Sequence, residues 1–458
     1  MFDIPAHAIG SDRVSRPSRR GFLRVGAIGS LGLTLPHFLQ ARAAAEETAG
    51  AKTRAQSPRA KAVIQLWMNG GPSQTDTFDP KPKAGPDYCG PYRKPIATNV
   101  EGVEIGEMLP LLAKEADKYA VIRSMTHGEN GHETASYIMQ TGSMPADLVY
   151  PTLGAVTSYF RQQSGYEGSL PPYITVPRPL GRFSESGFLG TQYKTFATGG
   201  DAKADVVNVQ GIVPPGGLTD ERLSERGDLL RKIDNLRRWL DQNETLATAD
   251  QHQQKAYELI LGDAKKAFLM KEEDDATRDR YGRTTWGQSF LLARRLVERG
   301  VPFITVNWGG WDTHRDNFGR MATLLPELDK AFSSLLADLA ERGLLESTIV
   351  TWFGEFGRTP KTAKGAPWDD GRHHYGKCFS AVVAGGGFQG GKVVGESDPK
   401  GETVKDRPVY PWDLSASMYE LLGIDAKGKL PHPHGCVAYV TPPADDKIES
   451  GGILTEIM

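Results

Sequence analysis

Residues 301–360 read VPFITVNWGGWDTHRDNFGRMATLLPELDKAFSSLLADLAERGLLESTIVTWFGEFGRTP, and this stretch decides the fold. Val301–Val306 is rich in β-branched and aromatic residues, which is typical of a buried strand. A Gly-rich polar loop follows, and Thr348–Phe353 has the composition of a second strand. Between the two strands, apolar residues recur at helical spacing on one face, namely Leu328, Phe332, Leu335, Leu336 and Leu339. The stretch therefore predicts a βαβ unit within an α/β fold.

Each strand of this unit leads into a loop with charged side chains. Asp312 and His314 follow the first strand, and Glu355 and Arg358 follow the second. In open α/β sheets, ligands bind outside the carboxyl ends of the strands, so we expect the two loops to meet at one rim. Residues two apart on an extended loop point the same way, which would let Asp312 and His314 hold one ion.

A third polar loop follows the apolar strand predicted at Lys61–Trp67. Residues 69–79 read NGGPSQTDTFD, and glycines of this kind let the backbone approach a ligand closely. The loop would bring Asn69, Ser73 and Asp76 to the same rim. The alternative interpretation is a tight turn capped by its own serine and aspartate side chains.

Histidines occur in two more polar stretches. Residues 127–142 read HGENGHETASYIMQTG and place His127 and His132 in a loop before a helix, whose N-terminus suits an anion. Residues 368–377 read WDDGRHHYGK and supply Arg372 and His374. A single histidine is more often structural, but a polar loop before a buried helix favours a functional role.

Carboxylate and imidazole groups together are the ligands of zinc, manganese or iron. The chain has no Cys-x-x-Cys pair, which argues against a thiolate zinc site. Two purely structural alternatives remain open for these residues: Asp312 would cap a turn, and Glu355 would form an ion pair with Arg358. The rim residues that could hold a divalent metal are Asn69, His132, Asp312, His314, Glu355 and His374.

The N-terminus has the features of an export signal. Residues 18–24 read SRRGFLR, an apolar run covers residues 25–39, and small residues follow at 41–45. This pattern predicts a twin-arginine signal peptide over residues 1–45 and a periplasmic or otherwise exported protein. The alternative is an uncleaved anchor, but the apolar run contains Gly and Pro and is short for a span. We therefore predict no stable membrane span after cleavage.

The remaining residues, 46–458, are predicted to form one α/β domain. Loss of six Arg and two Asp with the leader changes the net charge from −2 to −2 − 4 = −6. With no basic patch in the sequence, nucleic acid is excluded as a partner. Residues 220–275 are charged and helical in pattern, which predicts an inserted helical hairpin. Residues 442–458 are expected to form a loosely attached tail.

The order of these elements resembles that of the alkaline phosphatase superfamily, which includes the sulfatases. The resemblance lies in residues 132–142, 327–357 and 409–424. A closer resemblance is to the exported family of domain of unknown function 1501, and it covers nearly all of residues 60–440. The motifs that carry it are the twin-arginine leader, NGGPSQTDTFDPKP, WDTH, GEFGRTP and GRHHYGKCFSAVVAGGG.

The resemblance implies an alkaline phosphatase-like three-layer α/β/α sandwich with a mostly parallel central sheet. It also implies a metal-dependent hydrolase of phosphate or sulfate esters of small molecules or glycans. Asp312, His314 and His374 would then bind the first metal. His132 falls where the nucleophile stands, and Asn69 falls where an aspartate binds a second metal.

The pair Glu355 and Phe356 stands where that superfamily has an Asp-His pair for the second metal. Since phenylalanine cannot bind a metal, the expected site is a single divalent ion, zinc or manganese. Its ligands would be Asp312, His314, Glu355 and His374, with Asn69 as a weaker one. The other expected roles are catalysis by His132 and Arg358 and substrate binding by Ser73, Asp76, His127 and Arg372. The alternative function is a non-catalytic protein that binds an anionic glycan or a partner protein in the same cleft.

Overall fold

The computed structural model of the chain describes residues 58–181, 185–209, 263–432, 434–442 and 448–458. The predicted signal peptide, residues 1–45, lies outside these residues. So does most of the predicted helical insertion, of which residues 263–275 are described. Both therefore stay predictions. Among the described residues, no helix combines the length and the apolar character that crossing a membrane requires.

The chain alternates strands and helices along most of its length. The strands are β1 (Ala62–Asn69), β2 (Ile96–Ala97), β3 (Glu104–Ile105), β4 (Tyr119–Met125), β5 (Tyr173–Val176), β6 (Phe196–Ala197), β7 (Phe303–Gly309), β8 (Thr348–Phe353), β9 (Gly357–Arg358), β10 (His374–Tyr375), β11 (Phe379–Ala384), β12 (Lys392–Val394), β13 (Glu396–Ser397), β14 (Val404–Asp406), β15 (Lys429–Leu430) and β16 (Ala438–Tyr439). The α-helices are α1 (Pro86–Cys89), α2 (His132–Thr141), α3 (Leu153–Gln163), α4 (Asp275–Tyr281), α5 (Thr285–Glu298), α6 (Asn317–Glu341) and α7 (Pro411–Leu421).

Eight strands form the central sheet in the order β12-β4-β11-β8-β1-β7-β5-β6. Strand β11 is antiparallel to both of its neighbours, and the other pairings are parallel. In the middle of the sheet, β1 pairs with β8 on one side and with β7 on the other. The carboxyl ends of β8, β1 and β7 therefore lie side by side at one edge.

The two faces of the sheet bury two separate cores, which β1 shows most clearly. Ile64 and Leu66 pack into the core beneath α5 and α6, whereas Val63 and Trp67 pack into the core beneath α3 and α7. Successive side chains of a strand point to opposite faces, so a strand buried on both sides reads as a continuous apolar run. This arrangement confirms the predicted α/β/α sandwich with a mostly parallel sheet.

The stretch at 301–360 forms the βαβ unit that its pattern predicts. Strand β7, helix α6 and strand β8 follow one another, and the predicted strand Thr348–Phe353 has the observed bounds of β8. The five apolar residues at helical spacing are all fully buried in the core under α6, namely Leu328, Phe332, Leu335, Leu336 and Leu339.

The end of the chain corrects the prediction of a loose tail. Leu454 and Ile457 are fully buried. The backbone N–H of Leu454 donates to Ser417 Oγ at 2.9 Å, and the carbonyl of Ile457 accepts from the N–H of Gln389 at 2.7 Å. Polar composition suggested a loose tail, but these two apolar side chains and their backbone hydrogen bonds attach residues 448–458 to the domain.

This packing leads to a test of stability. Ile457→Ala should lower the free energy of unfolding by about 2–4 kcal/mol, because it removes a fully buried side chain and leaves a cavity. The matched control is Ile453→Ala, since Ile453 is 37% exposed and its truncation should cost less than about 0.5 kcal/mol. Urea unfolding followed by circular dichroism measures both values. Equal effects of the two substitutions would contradict the packed position of Ile457.

Candidate metal centre

Polar side chains gather at the edge of the sheet where β8, β1 and β7 end. Glu355 follows β8, Gly70 follows β1 and Asp312 follows β7. Two more segments reach the same edge. The loop after β4 leads to His132, and His374 lies shortly before β11, whose antiparallel direction puts its amino end here.

Asp312 is the centre of the cluster. Three imidazole Nε2 atoms surround its carboxylate: His314 at 3.1 Å and His374 at 3.2 Å from Oδ1, and His132 at 3.3 Å from Oδ2. Candidate ligand atoms of His132, Asp312 and His374 all lie within 4.8 Å of one another. The compact candidate ligand set among the described residues is therefore His132, Asp312 and His374, and His314 contacts two of its members.

Hydrogen bonds behind two of these rings set their tautomers. His374 Nδ1 lies 2.7 Å from the carbonyl oxygen of Asn130, and His132 Nδ1 lies 2.6 Å from Glu355 Oε1. Both oxygens are acceptors, so each Nδ1 carries the proton. When these rings are neutral, each Nε2 therefore presents a lone pair to the cluster, as metal-ligating histidines do.

His314 extends the cluster through both ring nitrogens. Its Nε2 lies 2.8 Å from His374 Nε2, and its Nδ1 lies 2.8 Å from His373 Nδ1. Since a neutral His374 has no proton on Nε2, the two facing Nε2 atoms need a proton or a cation between them. This donor set fits a divalent metal such as zinc.

The electrostatics favour an ionised carboxylate at the centre. Burial alone would raise the pKa of Asp312, but hydrogen bonds from His132 and His374 and the Arg358 guanidinium hold it well below its usual range. Hydrogen bonds to Asp312 and Glu355 raise the pKa of His132 from 6.5 to about 9. Burial lowers the pKa of His314, which keeps its lone pair available at neutral pH. In the metal-free protein a proton on His132 therefore balances the charge of Asp312.

Arg358 holds the Asp312 carboxylate in place from below. Its side chain is fully buried. The guanidinium donates to Asp312 Oδ1 at 2.5 Å, to the carbonyls of Gly70 and Gly71, and to the carbonyl of Arg372 at 3.1 Å. These acceptors are all protein groups, so the structure shows no contact of Arg358 beyond the protein, and its predicted catalytic role stays a prediction. Arg358 is a positioning residue for Asp312.

Glu355 lies behind His132. Its side chain is fully buried, and its two oxygens accept from the N–H of Gly70 at 2.9 Å and 3.0 Å. Oε1 also accepts from His132 Nδ1. Gly70 has φ +111°, and a Cβ there would lie 2.4 Å from the Asp312 nitrogen, so only glycine fits. The structure thus places Glu355 as the carboxylate that orients a histidine, rather than in the direct contact predicted.

His127 has a structural position next to the cluster. Its Nδ1 accepts from the N–H of Glu129 at 3.1 Å, so Nε2 carries the proton and donates to the carbonyl of Glu355 at 2.8 Å. Burial lowers its pKa from 6.5 to about 4, so the ring is neutral at pH 7. In the structure His127 supports the loop that carries Glu355. Its contact with a substrate stays a prediction.

Three other predicted substrate ligands are also buried and satisfied. Asp76 and Arg372 form a bidentate ion pair at 2.9 Å and 3.0 Å, and both side chains are buried. Asn317 Nδ2 also donates to Asp76 at 2.7 Å. Ser73 is buried, with its Oγ 3.2 Å from Thr75 Oγ1. These side chains contact protein groups in the structure, and their role in substrate binding stays a prediction.

Asn69 and Phe356 lie at the margins of the cluster. Asn69 is exposed at the end of β1, and its carboxamide makes no hydrogen bond to another described residue. The Phe356 ring is buried and stacks on His374, with centroids 4.5 Å apart, and its centroid lies 5.1 Å from that of His132. An aromatic ring thus supports two of the histidines where the resemblance implied a ligand position.

Sequence reasoning missed two residues of this arrangement. Asn130 accepts from His374 through its carbonyl, and its Oδ1 accepts from the N–H of Gly376 at 2.9 Å. His373 contacts His314 from outside the cluster. Asn130 lies in the polar HGENGH stretch, which was the available signal. His373 precedes His374 directly, and nothing in its spacing distinguished it as a partner of His314.

The fold and the cluster together define an α/β protein with a candidate histidine–aspartate metal centre at the carboxyl edge of its sheet. The profile of the family described as "Protein of unknown function (DUF1501)" matches residues 60–448. The chain belongs to this family. A search of curated proteins finds no match.

Several solved structures are similar to the chain at low identity. Lipoteichoic acid synthase LtaP from Listeria monocytogenes is 9% identical, with a TM-score of 0.38 over 84% of this chain and 75% of that one. A protein described as in the alkaline phosphatase superfamily, from Vibrio parahaemolyticus, is 12% identical, with a TM-score of 0.34 over 82% and 69%. The periplasmic domain of EcEptC from Escherichia coli, in complex with Zn, is 10% identical, with a TM-score of 0.35 over 80% and 83%. At these values the likeness carries no conclusion about the fold or the activity of this chain.

The raised pKa of His132 has a consequence for the metal-free protein. Because the folded-state pKa is about 9 rather than 6.5, the contribution of His132 to stability is complete below the lower value and lost as pH rises through the higher one. We expect the melting temperature in chelator to fall over this window. His132→Gln should flatten that fall, modestly, because the side chain is 39% exposed and water screens the pair. Parallel pH curves for the two proteins would contradict the ion pairs of His132.

The position of Glu355 behind His132 can be tested by metal affinity. Glu355→Gln keeps the shape of the side chain but removes the charge that orients His132, so zinc affinity should fall about 10–100-fold. Competition with a chromophoric chelator measures it. The matched control is Asp370→Asn, an exposed carboxylate near the same rim, which should leave the affinity unchanged. Complete loss of zinc from Glu355→Gln would instead make Glu355 a direct ligand.

Proposed function

We propose that this chain is a metal-dependent hydrolase of phosphate or sulfate esters that acts outside the cytoplasm. The observation that carries the proposal is the convergence of three imidazole Nε2 atoms on the Asp312 carboxylate, at 3.1–3.3 Å. Two of these rings have their Nδ1 protons engaged behind them, so their Nε2 lone pairs point inward when the rings are neutral. A divalent metal would take the place of the proton that His132 carries in the metal-free protein.

The residues that would hold the metal are His132, Asp312, His314 and His374. Zinc suits this set of one carboxylate and three imidazoles, and manganese is the second candidate. When bound, a divalent ion of this kind polarises an ester oxygen and lowers the pKa of a bound water. Glu355 and Arg358 act through the ligands: Glu355 orients His132, and Arg358 orients Asp312.

This assignment changes the role expected for His132. As a nucleophile it would need a free nitrogen directed at the substrate. Its Nδ1 is bonded to Glu355, and its Nε2 lies 3.3 Å from Asp312. We therefore propose that His132 is a ligand, and that water rather than a side chain attacks the ester.

The anionic part of the ester has a binding position at the start of α2. His132 is the first residue of this ten-residue helix, whose N-cap, Gly131, provides no side-chain cap. The helix dipole favours an anion at this end of the helix. This position takes over the role that Arg358 and Arg372 had in the sequence-based prediction, because both arginines are buried.

Export is proposed from the sequence alone. The twin-arginine stretch SRRGFLR and the apolar run after it are typical of proteins that cross the membrane in the folded state. A metal centre built from five distant segments suits this route, because the ion can be bound before export. The substrate would then be met in the periplasm or beyond it.

A second candidate function is non-catalytic binding of an anionic glycan or a partner protein at the same rim. The burial of both expected arginines and the engagement of His132 favour it. Binding of a sulfated oligosaccharide that persists in chelator and in the Glu355→Ala variant would support this candidate. Release of sulfate or phosphate from any ester would rule it out.

The hydrolase proposal is tested on protein purified without chelator. We expect about one zinc or manganese ion per chain by elemental analysis, and turnover within a panel of phosphate and sulfate esters. Asp312→Ala should lose most of the metal and the turnover, because it removes the central carboxylate. Asp370→Asn again serves as the control and should retain both. Protein without stoichiometric metal, or turnover that survives Asp312→Ala, would contradict the proposal.

A further inference from the structure

Trp368 differs from the other tryptophans of the chain in its exposure. Its side chain is 42% exposed. The other described tryptophans are buried or half-buried, namely Trp67, Trp286, Trp308, Trp311, Trp352 and Trp412. A single exposed apolar residue needs no explanation by itself. The position of Trp368 and the hydrogen bonds that hold its loop are what indicate a functional role.

The indole of Trp368 lies directly beside the metal cluster. Its centroid is 5.9 Å from the ring of His314 and 5.8 Å from the ring of His373, both in edge contacts. His314 is also one of the imidazoles that face Asp312. The indole is therefore separated from the candidate metal position by a single imidazole ring.

The backbone around Trp368 is held by hydrogen bonds on both sides. The N–H of Trp368 donates to Gly365 at 3.0 Å, and its carbonyl accepts from Gly371 at 2.9 Å. The carbonyls of Asp369 and Asp370 accept from the segment that starts α6. At Gly371, a Cβ would lie 1.8 Å from the His314 carbonyl, so the loop is closely packed on the cluster. A side chain on so fixed a loop is positioned before a ligand arrives.

Arg315 fixes the orientation of the indole. Its guanidinium carbon lies over the Trp368 ring, 5.7 Å from the centroid. Such a cation–π contact favours one ring orientation. Although Arg315, His314 and His373 all contact the indole, Trp368 is 42% exposed, so part of its surface is accessible to a ligand.

We propose that Trp368 is a stacking subsite for a six-membered ring joined to the ester, and this inference rests on the hydrolase proposed above. The indole offers a flat apolar surface that matches the C–H face of a pyranose or the π face of an aromatic ring. A preoriented surface loses little conformational entropy on binding. The ring would lie beside His314 while the ester group lies at the cluster. Trp368 thus selects ring-bearing esters over open-chain ones.

The test measures equilibrium binding by calorimetry to the metal-loaded protein. The binding probes are the phosphonate and sulfonate analogues of 4-nitrophenyl, glucose-6-yl and ethyl esters, in which a methylene replaces the ester oxygen and prevents hydrolysis. The head group is constant within a series, and turnover is measured on the esters themselves. The proteins are wild type, Trp368→Ala and Trp368→Phe. The matched control is Val437→Ala, which truncates another exposed apolar residue, 61% exposed.

Wild type should bind at least one ring-bearing ester about tenfold more tightly than the ethyl ester, which corresponds to about 1.4 kcal/mol. Trp368→Ala should remove this preference and leave ethyl ester binding unchanged, whereas Trp368→Phe should keep most of it. Preference for the glucose ester identifies a sugar ring, and preference for the nitrophenyl ester identifies an aromatic one.

Two outcomes overturn the subsite: no ring preference in wild type, or a ring preference that Trp368→Ala leaves intact. An equal loss of ring and ethyl esters in Trp368→Ala also overturns it, because it indicates a general disturbance. Failure of the hydrolase proposal is seen separately, as an absence of product from every ester. Binding and turnover are measured independently, so the two failures are distinguishable.

Discussion

The candidate centre depends on one buried cation. The guanidinium of Arg358 joins four separate segments: it donates to the carbonyls of Gly70 and Gly71 after β1, to Asp312 after β7, and to the carbonyl of Arg372. Arg358 itself follows β8. Without this cation, the loops of three adjacent strands would lose a common anchor, and the central carboxylate would lose its buried partner.

A fully buried guanidinium is costly to desolvate, and a buried ion pair seldom stabilises a fold more than apolar packing would. The buried Arg358 is therefore better explained by the way it positions Asp312 than by a gain in stability. Asp312 is exposed although its partner Arg358 is buried, and its carboxylate contacts three histidines. A second buried arginine, Arg372, performs the same kind of task one layer further in, on Asp76.

The remaining parts of the centre orient the rings. Glu355 and the carbonyl of Asn130 bond to the Nδ1 atoms of His132 and His374. The Phe356 ring packs against the same two histidines. The imidazoles are thus held by hydrogen bonds and by packing, as preorganised ligands are. Phe356 also occupies space beside them with an apolar group, which favours a centre with a single ion.

Local pattern was sufficient for the fold and for the identity of the loops. Apolar runs and helical spacing predicted β7, α6 and β8, and the rule that ligands gather at strand ends predicted which loops would meet. Asp312, His314 and His374 were expected at that edge and lie together there, and their role as metal ligands stays a prediction. The contacts of each side chain could not be predicted from the sequence. Arg358, Arg372 and Asp76 have the composition of a substrate site, yet they are buried and paired with protein groups. Glu355 was expected on the metal but lies behind His132, because the carboxyl end of β8 is adjacent to Gly70 in the sheet. Polar residues at a strand end can face the solvent or the interior, and only the packing of neighbouring strands decides between the two.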